Sequence, residues 1–433
     1  MNQCPDVKRL LALRIDSGGG ADRDVHVGRE MLLASLGRRR GSRVIAVYFR
    51  RRGSEQVLRF LRQRLGGCSA TRIGKGQRME GTAELVPVLP AHRFDEAALA
   101  RYLRGRLPGF DGQLQIRQFQ GGQSNPTFHL RTAGGDYVLR KKPPGKLLPR
   151  AHEVEREHRV MAALAETDVP VPRMRLLCQD ETVLGTTFFV MDHVPGRVFP
   201  DRVMREGTPA HRAAVYEDLA RVLAALHRVD WRAVGLEGFG RAQGYMQRQV
   251  ALWTRQWQAA QMEDMPAMDL LAQWLPDHLP PDDPPACIAH GDYRLGNVLL
   301  HPTEPRVVAV LDWELATIGN PLADLGYFCV TYHVPGGPGG RSGVAGENLD
   351  GTGLPDQRAF LDSYCRHSGS ELPDSLDVFV VFSMFRLASI TAGVWRRGVD
   401  GNAADARAGT TEYRERYRGM AESAWTLAQR LSA

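Results

Sequence analysis

The sequence is poor in cysteine and has no long uninterrupted hydrophobic run. Its six cysteines form no Cys-x-x-Cys pair, which argues against a zinc ribbon and a small disulfide-bonded scaffold. They are widely spaced, at Cys4, Cys68, Cys178, Cys287, Cys329 and Cys365. The longest apolar stretch, Val378 to Trp395, carries Arg386 near its middle, which predicts a buried helix rather than a membrane span. Since we find neither a signal peptide nor an internal repeat, we expect a cytoplasmic protein without a membrane partner.

Length and composition predict a folded protein with more than one lobe. The chain has 433 residues, of which 43% are hydrophobic and 24% are charged. These proportions are ordinary for a soluble protein with a sizeable core, and they exclude disorder throughout. The length exceeds that of one usual domain, so we expect two lobes and an additional segment.

The positive charge of the chain is confined to its first 78 residues. This segment holds 18 of the 56 Lys and Arg residues but only 6 of the 49 Asp and Glu residues, so the remaining chain is slightly acidic. The segment is rich in Arg and Gly and has one convincing apolar run, Val44 to Phe49. We interpret residues 1–78 as a poorly folded extension, or as sequence included by an early start codon with Met79 as the true start. An arm that binds nucleic acid is the alternative.

The pattern changes after Met79 to that of a folded enzyme. Short β-type runs separated by Gly-Gly pairs predict a small antiparallel sheet, and longer amphipathic runs follow. The predicted strands are Leu114 to Phe119, Thr127 to Arg131, Tyr137 to Arg140 and Val183 to Val190. The predicted helices are Phe94 to Leu107, Ala151 to Leu164, Ala210 to Val229, Tyr245 to Gln261, Pro355 to His367, Ser375 to Trp395 and Glu412 to Leu431. This order predicts an α+β fold with a small sheet-rich N-lobe at 79–192 and a larger, mainly helical C-lobe at 193–433.

One short stretch of the second lobe carries the chemistry. It reads His290-Gly291-Asp292, continues to Asn297, and is followed by an apolar run and then Asp312. The acid, the amide and the second acid fall in the order of the kinase pattern H-R-D-x-x-x-x-N and its later D-F-G. In that chemistry Asp292 accepts the proton of a hydroxyl group, while Asn297 and Asp312 hold magnesium against the phosphates. The alternative is a turn in which Asp292 merely caps the backbone.

These motifs resemble the aminoglycoside phosphotransferase family from about Phe110 to the C-terminus. One branch, which includes the kinase domain fused ahead of acyl-CoA dehydrogenase in some eukaryotic proteins, is similar in the segments at 119–127, 137–145, 312–314, 319–326 and 401–403. The resemblance implies the bilobal protein-kinase-like fold that the family shares with choline and homoserine kinases. It also implies a kinase that uses ATP and Mg²⁺.

A phosphate-binding loop is predicted between the first two strands of the sheet. Its glycines allow close approach of the backbone to phosphate oxygens, and its polar side chains add donors. The candidate residues are Gly121, Gly122, Ser124 and Asn125. On the next strand the two-residue period places Arg140 on the same face as Val138, where kinases carry a cation for the phosphates. Lys141 or Lys142 takes that role if the register slips by one residue or more.

Glu157 is the predicted partner of Arg140. It lies on the apolar stripe of its helix, and a carboxylate buried there needs a cation. Between the lobes, a strand runs into a segment whose main chain is suited to binding adenine, with Met191, Asp192 and Val194 as candidates. A plain connection between lobes is the alternative.

Other residues have simpler interpretations. We expect His290 to be structural and Asp324 to fix the backbone after Asp312, while Glu314 either reaches a metal ion or bonds a nearby amide. The glycine-rich segment 335–353 is either a lid or an inert loop.

The acceptor is predicted to be a small molecule with a hydroxyl group. The even charge of residues 335–433 disfavours a polycationic aminoglycoside, and the paired Arg396 and Arg397 suit an anionic group. The fused relatives suggest a hydroxylated acyl thioester of coenzyme A, with an aminoglycoside, amino alcohol or sugar as the alternative. The competing class is a nucleotide-binding scaffold without catalysis.

Overall fold

The computed structural model describes ten stretches of the chain, which divide into two units. These stretches are residues 10–15, 31–39, 42–49, 84–120, 125–143, 153–280, 285–336, 343–371, 376–402 and 407–432. The first unit covers Met1–Glu80 and the second covers Gly81–Ala433.

The described part of the first unit is one antiparallel sheet. Its strands are β1 (Leu10–Ile15), β2 (Met31–Arg39) and β3 (Ser42–Phe49), and β3 lies between the other two. The apolar run noted in the sequence therefore falls in the central strand. The interpretation of residues 1–78 as an extension or a start-site artefact stays a prediction.

The second unit begins with a six-stranded antiparallel sheet, as predicted for the N-lobe. The strands are β4 (Leu85–Val86), β5 (Gln115–Phe119), β6 (Thr127–Thr132), β7 (Gly135–Lys141), β8 (Met174–Cys178) and β9 (Phe188–Asp192). Their spatial order is β4-β5-β6-β7-β9-β8. Alternation of side chains along β7 divides its residues between two cores. Leu139 packs towards the first helix of this lobe, whereas Val138 belongs to the core shared with the C-lobe.

The two long helices of the N-lobe are shorter than the sequence predicted. Helix α1 is Glu96–Leu103, capped by Asp95, and it ends four residues before the predicted Leu107 because Gly105 adopts a positive φ of 74°. Helix α2 is Val154–Leu164, and Glu157 lies on its buried face as predicted.

The strand predicted from Val183 is wrong in its first half. Asp180 caps a short helix, α3 (Glu181–Leu184), and Gly185 closes it in the left-handed conformation. The strand starts only at Phe188. Strand β8, at the edge of the sheet, was not predicted because it is half-buried and shows no clear alternation.

The C-lobe is mainly helical, as predicted, with two short pairs of strands around the motifs. Its helices are α4 (Pro209–Arg228), α5 (Tyr245–Ala260), α6 (Pro266–His278), α7 (Pro321–His333), α8 (Gln357–Ser368), α9 (Leu376–Val399) and α10 (Thr411–Leu431). Its strands are β10 (Cys287–Ala289), β11 (Val298–Leu300), β12 (Val307–Val310) and β13 (Thr317–Gly319), which pair as β10 with β13 and β11 with β12. Helices α6 and α7 were missed. Pro276 lies in the last turn of α6.

Helix α9 is the long apolar segment of the sequence. By length and composition it could cross a membrane, but 67% of its most apolar window is buried inside the protein. It contacts α5, α7 and α10, so the prediction of a buried core helix is confirmed.

Close packing of α7 on α9 requires a glycine. A Cβ atom on Gly326 would lie 2.6 Å from the carbonyl carbon of Phe379. We expect Gly326→Ala to lower the free energy of unfolding by about 2 kcal/mol, because the overlap outweighs the better helix propensity of alanine.

Urea denaturation of both glycine variants measures this effect. Gly419 is also helical, but a Cβ atom there meets nothing within 4 Å. Gly419→Ala should therefore be neutral or stabilise by up to about 1 kcal/mol. Equal effects at the two positions would contradict the packing argument.

Candidate active site

The motif at 290–297 forms a loop between β10 and β11. Gly291 has φ 82°, and a Cβ atom there would lie 2.8 Å from the carbonyl oxygen of Leu315. Both constraints favour glycine, which explains why this residue precedes the acid. The loop then turns through a short 3-10 helix at Leu295–Asn297 into β11.

The side chains of Asp292 and Asn297 meet across this loop. Asn297 Nδ2 donates to Asp292 Oδ2 over 2.7 Å and to the main-chain oxygen of Asp292 over 2.9 Å. The other carboxylate oxygen, Asp292 Oδ1, is buried and has no hydrogen-bond donor among the described residues. The arrangement fixes the acid through one oxygen and leaves the second available to a ligand.

The backbone of the loop is held by Asp324 in α7. Its oxygens accept the N–H groups of His290 and Gly291 over 2.6 and 2.7 Å, and they lie 3.3 Å from His227 Nε2 at the closest. The prediction that Asp324 fixes the backbone after Asp312 is therefore wrong. Burial opposes the charge of Asp324, but the hydrogen bond and the charge of His227 outweigh it and lower the pKa of Asp324.

His290 has the structural role that was predicted. Its Nε2 lies 2.9 Å from the carbonyl oxygen of Leu311, and its Nδ1 accepts the N–H of Asp292 over 3.2 Å. Both ring nitrogens are therefore engaged by the main chain. This leaves Asp292 as the acid of the loop that faces the cleft.

Asp312 follows β12 in a strained conformation. With φ 64° it is the only non-glycine residue with a positive φ in the part of the chain that the structure describes. Such strain is concentrated at functional positions. The side chain of Asp312 turns towards the N-lobe, where its Oδ1 lies 3.1 Å from Arg140 Nη2.

Arg140 joins the two lobes through a pair of carboxylates. Its Nε lies 2.8 Å from Glu157 Oε2, so the predicted ion pair is present, and Asn125 Nδ2 donates to the other oxygen of Glu157 over 2.8 Å. Burial opposes the charge of Arg140, but Glu157, Asp312 and Glu314 outweigh it and raise the pKa of Arg140. The guanidinium thus stays charged between the two lobes.

The two neighbouring lysines do not take this position. Lys141 points to the opposite side, where Nζ approaches the carbonyl oxygen of Leu184 over 3.4 Å, and burial lowers the pKa of Lys141. Lys142 pairs with Glu155 over 2.6 Å. The register β7 adopts therefore selects Arg140.

The predicted connection between the lobes follows β9. Met191 is buried in the sheet, and Asp192 is paired with Arg175 through two hydrogen bonds of 2.6 and 2.7 Å. The N–H groups of Asp192 and His193 are already bonded within the sheet. The N–H of Val194 donates to no acceptor in the described stretches, so it is the main-chain donor available here.

Parts of two predicted loops lie outside the described residues. Gly121, Gly122 and Ser124 of the predicted phosphate loop are among these, whereas Asn125 is buried against Glu157. In the glycine-rich segment, residues 337–342 are also outside, and Val344 donates its N–H to Thr331 over 2.8 Å. The lid stays a hypothesis.

Tyr327 and the three arginines around it, which lie close to Asp292, were not assigned to the site from the sequence. Arg294 Nε lies 3.5 Å from Asp292 Oδ1. The buried ring of Tyr327 lies near Arg202 and Arg386. Two features of the sequence point to this group. Arg294 follows Asp292 by two residues, and Arg386 lies inside an apolar helix. Arg396, which was considered instead, is exposed and pairs with Asp400 over 2.9 Å.

Comparisons with known proteins match the described fold. The phosphotransferase enzyme family matches residues 115–361. Acyl-CoA dehydrogenase family member 11 of Gallus gallus is 45% identical over 358 residues, which cover 81% of this chain and 45% of that protein. The human family member 11 is 44% identical over 329 residues, covering 74% of this chain and 42% of that protein. The chain thus spans less than half the length of these relatives.

Solved structures extend these matches. A protein of Ralstonia eutropha JMP134 assigned as an aminoglycoside phosphotransferase has a TM-score of 0.71 at 44% identity, covering 78% of this chain and 99% of that chain. A choline kinase of Cryptosporidium parvum has a TM-score of 0.54 at 12% identity, covering 78% of this chain and 95% of that chain. At this identity the match shows a similarity of fold alone. These matches confirm the resemblance and the bilobal kinase-like fold predicted from the motifs.

The buried ion pair has a measurable effect on stability. We expect Glu157→Gln to lower the free energy of unfolding by about 3 kcal/mol, because it leaves the buried charge of Arg140 with less compensation. Glu155→Gln on the same helix breaks only a more exposed pair with Lys142 and should cost about 1 kcal/mol or less. Urea denaturation compares the two variants, and equal losses would contradict the role assigned to Glu157.

Proposed function

This chain belongs to the phosphotransferase enzyme family, whose members act on small molecules, and we propose that it transfers the terminal phosphate of ATP to a hydroxyl group. The observation that carries the proposal is that groups from both lobes come together at the catalytic loop, where Leu311, the residue before Asp312, donates its N–H to the main-chain oxygen of Asn297 over 2.8 Å. Asp292 and Asn297 meet in the catalytic loop, and Asp312 reaches Arg140.

In the proposed reaction Asp292 acts as the general base. Its Oδ1 has no hydrogen-bond donor among the described residues, and an acceptor hydroxyl would supply one. The hydroxyl proton then moves to Asp292 Oδ1 as the hydroxyl oxygen attacks the terminal phosphorus. The bond between that phosphorus and the oxygen bridging to the β-phosphate breaks, and ADP is the leaving group. Asn297 keeps the carboxylate oriented by its two hydrogen bonds.

Arg140 would steady the phosphates of the nucleotide from the opposite lobe. Glu157 holds the guanidinium of Arg140 in place through Nε. The planar guanidinium is suited to contact two phosphate oxygens. The proposed binding loop includes Gly121, Gly122, Ser124 and Asn125. For the adenine ring, we propose the segment from Met191 to Val194, with the N–H of Val194 as donor because that of Asp192 is occupied.

The donor set fits a magnesium ion. Asn297 donates through Nδ2, so its amide oxygen points elsewhere and accepts no hydrogen bond from the described residues, and Asp312 contributes a carboxylate. An amide and a carboxylate oxygen are ligands that Mg²⁺ prefers. When bound there, the ion would offset the negative charge of the phosphates.

For the acceptor, we propose a hydroxylated acyl thioester of coenzyme A or a related hydroxy acid. The support is the identity of 44 to 45% with proteins named as acyl-CoA dehydrogenase family members. The alternative acceptor is an aminoglycoside or another amino alcohol, since the solved relative from Ralstonia eutropha is assigned as an aminoglycoside phosphotransferase.

The test is phosphate transfer by the purified full chain with radiolabelled ATP and magnesium. Acceptors from four groups are offered: acyl thioesters, sugars, amino alcohols and aminoglycosides. Labelled product from one group supports the proposal. ATP binding without transfer to any hydroxyl compound would favour a nucleotide-binding scaffold and contradict it.

Substitution of the two acids separates their roles. We expect Asp292→Asn to reduce kcat by about a hundredfold to ten-thousandfold while nucleotide affinity is retained, because only the base is lost. Asp312→Asn should also weaken the response to magnesium, measured by titrating the ion at fixed ATP. Asp362→Asn is the matched control, since Asp362 is exposed and pairs only with Arg358 on α8. Unchanged turnover in Asp292→Asn would exclude Asp292 as the base.

A further inference from the structure

Three arginines, Arg202, Arg294 and Arg386, lie around one tyrosine close to the catalytic loop. Their common neighbour is Tyr327, a buried residue of α7 that also lies near Asp292. Arg202 Nη2 donates to Tyr327 Oη over 2.9 Å. The guanidinium carbons of Arg202 and Arg386 lie 4.8 and 5.4 Å from the centre of the same ring. Arg294 completes the group through its 3.5 Å contact with Asp292.

Arg386 is a buried cation without a carboxylate partner among the described residues. It is 5% exposed, and its Nη2 donates to the main-chain oxygen of Gly291 over 2.6 Å. The rest of the guanidinium is near the rings of Trp253 and Tyr327, and Nε has no acceptor in the described stretches. A buried charge compensated only by a carbonyl and aromatic rings is costly, so an anion bound there would be favoured.

The nearby carboxylates do not neutralise the charge of the three arginines. Asp292 is a single negative charge among three positive ones, and its closest cation is Arg294. Asp324 is occupied by the N–H groups of His290 and Gly291 and by His227. Arg202 makes no ion pair with any described residue, although it is only half-buried. The acceptor side of the acid therefore carries an excess of positive charge.

We infer that the hydroxyl compound phosphorylated by this chain carries an anionic group, which Arg202 and Arg386 bind while Asp292 faces its hydroxyl. The inference rests on the proposed function. A carboxylate or a phosphate fits, because two guanidinium groups offer forked donors to either. A cationic amino sugar would instead meet like charge, so the site disfavours the aminoglycoside alternative.

The experiment compares acceptors that differ only in charge. A short hydroxy acid, its primary amide and the amino alcohol of the same carbon skeleton are offered with ATP and magnesium. The coenzyme A thioester of the same acid forms a fourth arm, which distinguishes a free carboxylate from the phosphates of the carrier. We expect the preferred anionic compound to exceed the amide and the amino alcohol in kcat/KM by at least about tenfold.

Variants of Arg202 test the contact, because Arg386 supports the catalytic loop and its loss can impair folding. Arg202→Gln should raise KM for the anionic acceptor by about tenfold or more, with a smaller change in kcat, and remove the preference over the amide. Arg202→Lys should restore part of the preference, since it keeps the charge. Arg396→Gln is the matched control, because Arg396 is exposed and paired with Asp400, and its KM should not change.

The outcomes separate this inference from the proposed function. Transfer to the amide or the amino alcohol as efficient as to the anion, unaltered in Arg202→Gln, overturns the inference and leaves the kinase intact. No ATP binding overturns the proposed function itself. If ATP binds but no compound is phosphorylated, calorimetry measures the binding of the four compounds to the ADP-loaded chain. Tighter binding of the anionic compounds supports the inference, and equal binding of all four overturns it.

Discussion

The buried guanidinium of Arg140 is the constraint on which the cleft depends. It lies in β7, but its carboxylate partners come from α2 and from the residue after β12, so one cation joins the two lobes. A buried charge needs compensation, and here two carboxylates together outweigh the cost of burial. Displacing α2 from the sheet, or Asp312 from the cleft, would leave that charge exposed to a medium of low polarity. Compensation of the Arg140 charge therefore requires both α2 and Asp312 to be in place.

A second condition is that the catalytic loop is held through its main chain. Asp324 accepts two consecutive N–H groups at its start, and Arg386 donates to the carbonyl of Gly291. Among the described residues, the side chain of Asp292 accepts a hydrogen bond only from Asn297, through one of its two oxygens, while Arg294 Nε lies 3.5 Å from the other. Because Asp324 and Arg386 hold the main chain of the loop, the side chain of Asp292 has a defined orientation and its other oxygen stays available to a ligand. Such preorganisation is how a static structure lowers the cost of reaching a reactive geometry.

The sequence allows prediction of those site residues whose position follows from a local period. Glu157 is a charged residue on an apolar helical stripe, and Arg140 shares a strand face with Val138, so their pairing needs only the spacings of a helix and a strand. The partners of Asp324 depend on where α7 packs, which no local pattern reveals. The left-handed conformation of Asp312 is likewise imposed by its surroundings. The wrong prediction at Val183 is of another kind, because Asp180 and Gly185 are local helix-capping signals that override the apolar run between them.

Arg140 and Arg386 differ in how their positive charge is compensated. This difference distinguishes a charge that holds the fold together from one that can bind a ligand. Arg140 has two carboxylates within 3.1 Å, so its charge is already part of the folded protein before any ligand arrives. Arg386 is 5% exposed and, among the described residues, is compensated only by a carbonyl oxygen and two aromatic rings. Folding tolerates such a charge when other contacts supply the stability, and the unmet interaction then becomes available to binding. Arg140 is thus compensated within the protein and Arg386 is not, and this difference is the basis for inferring that the sign of the acceptor's charge is what the protein discriminates.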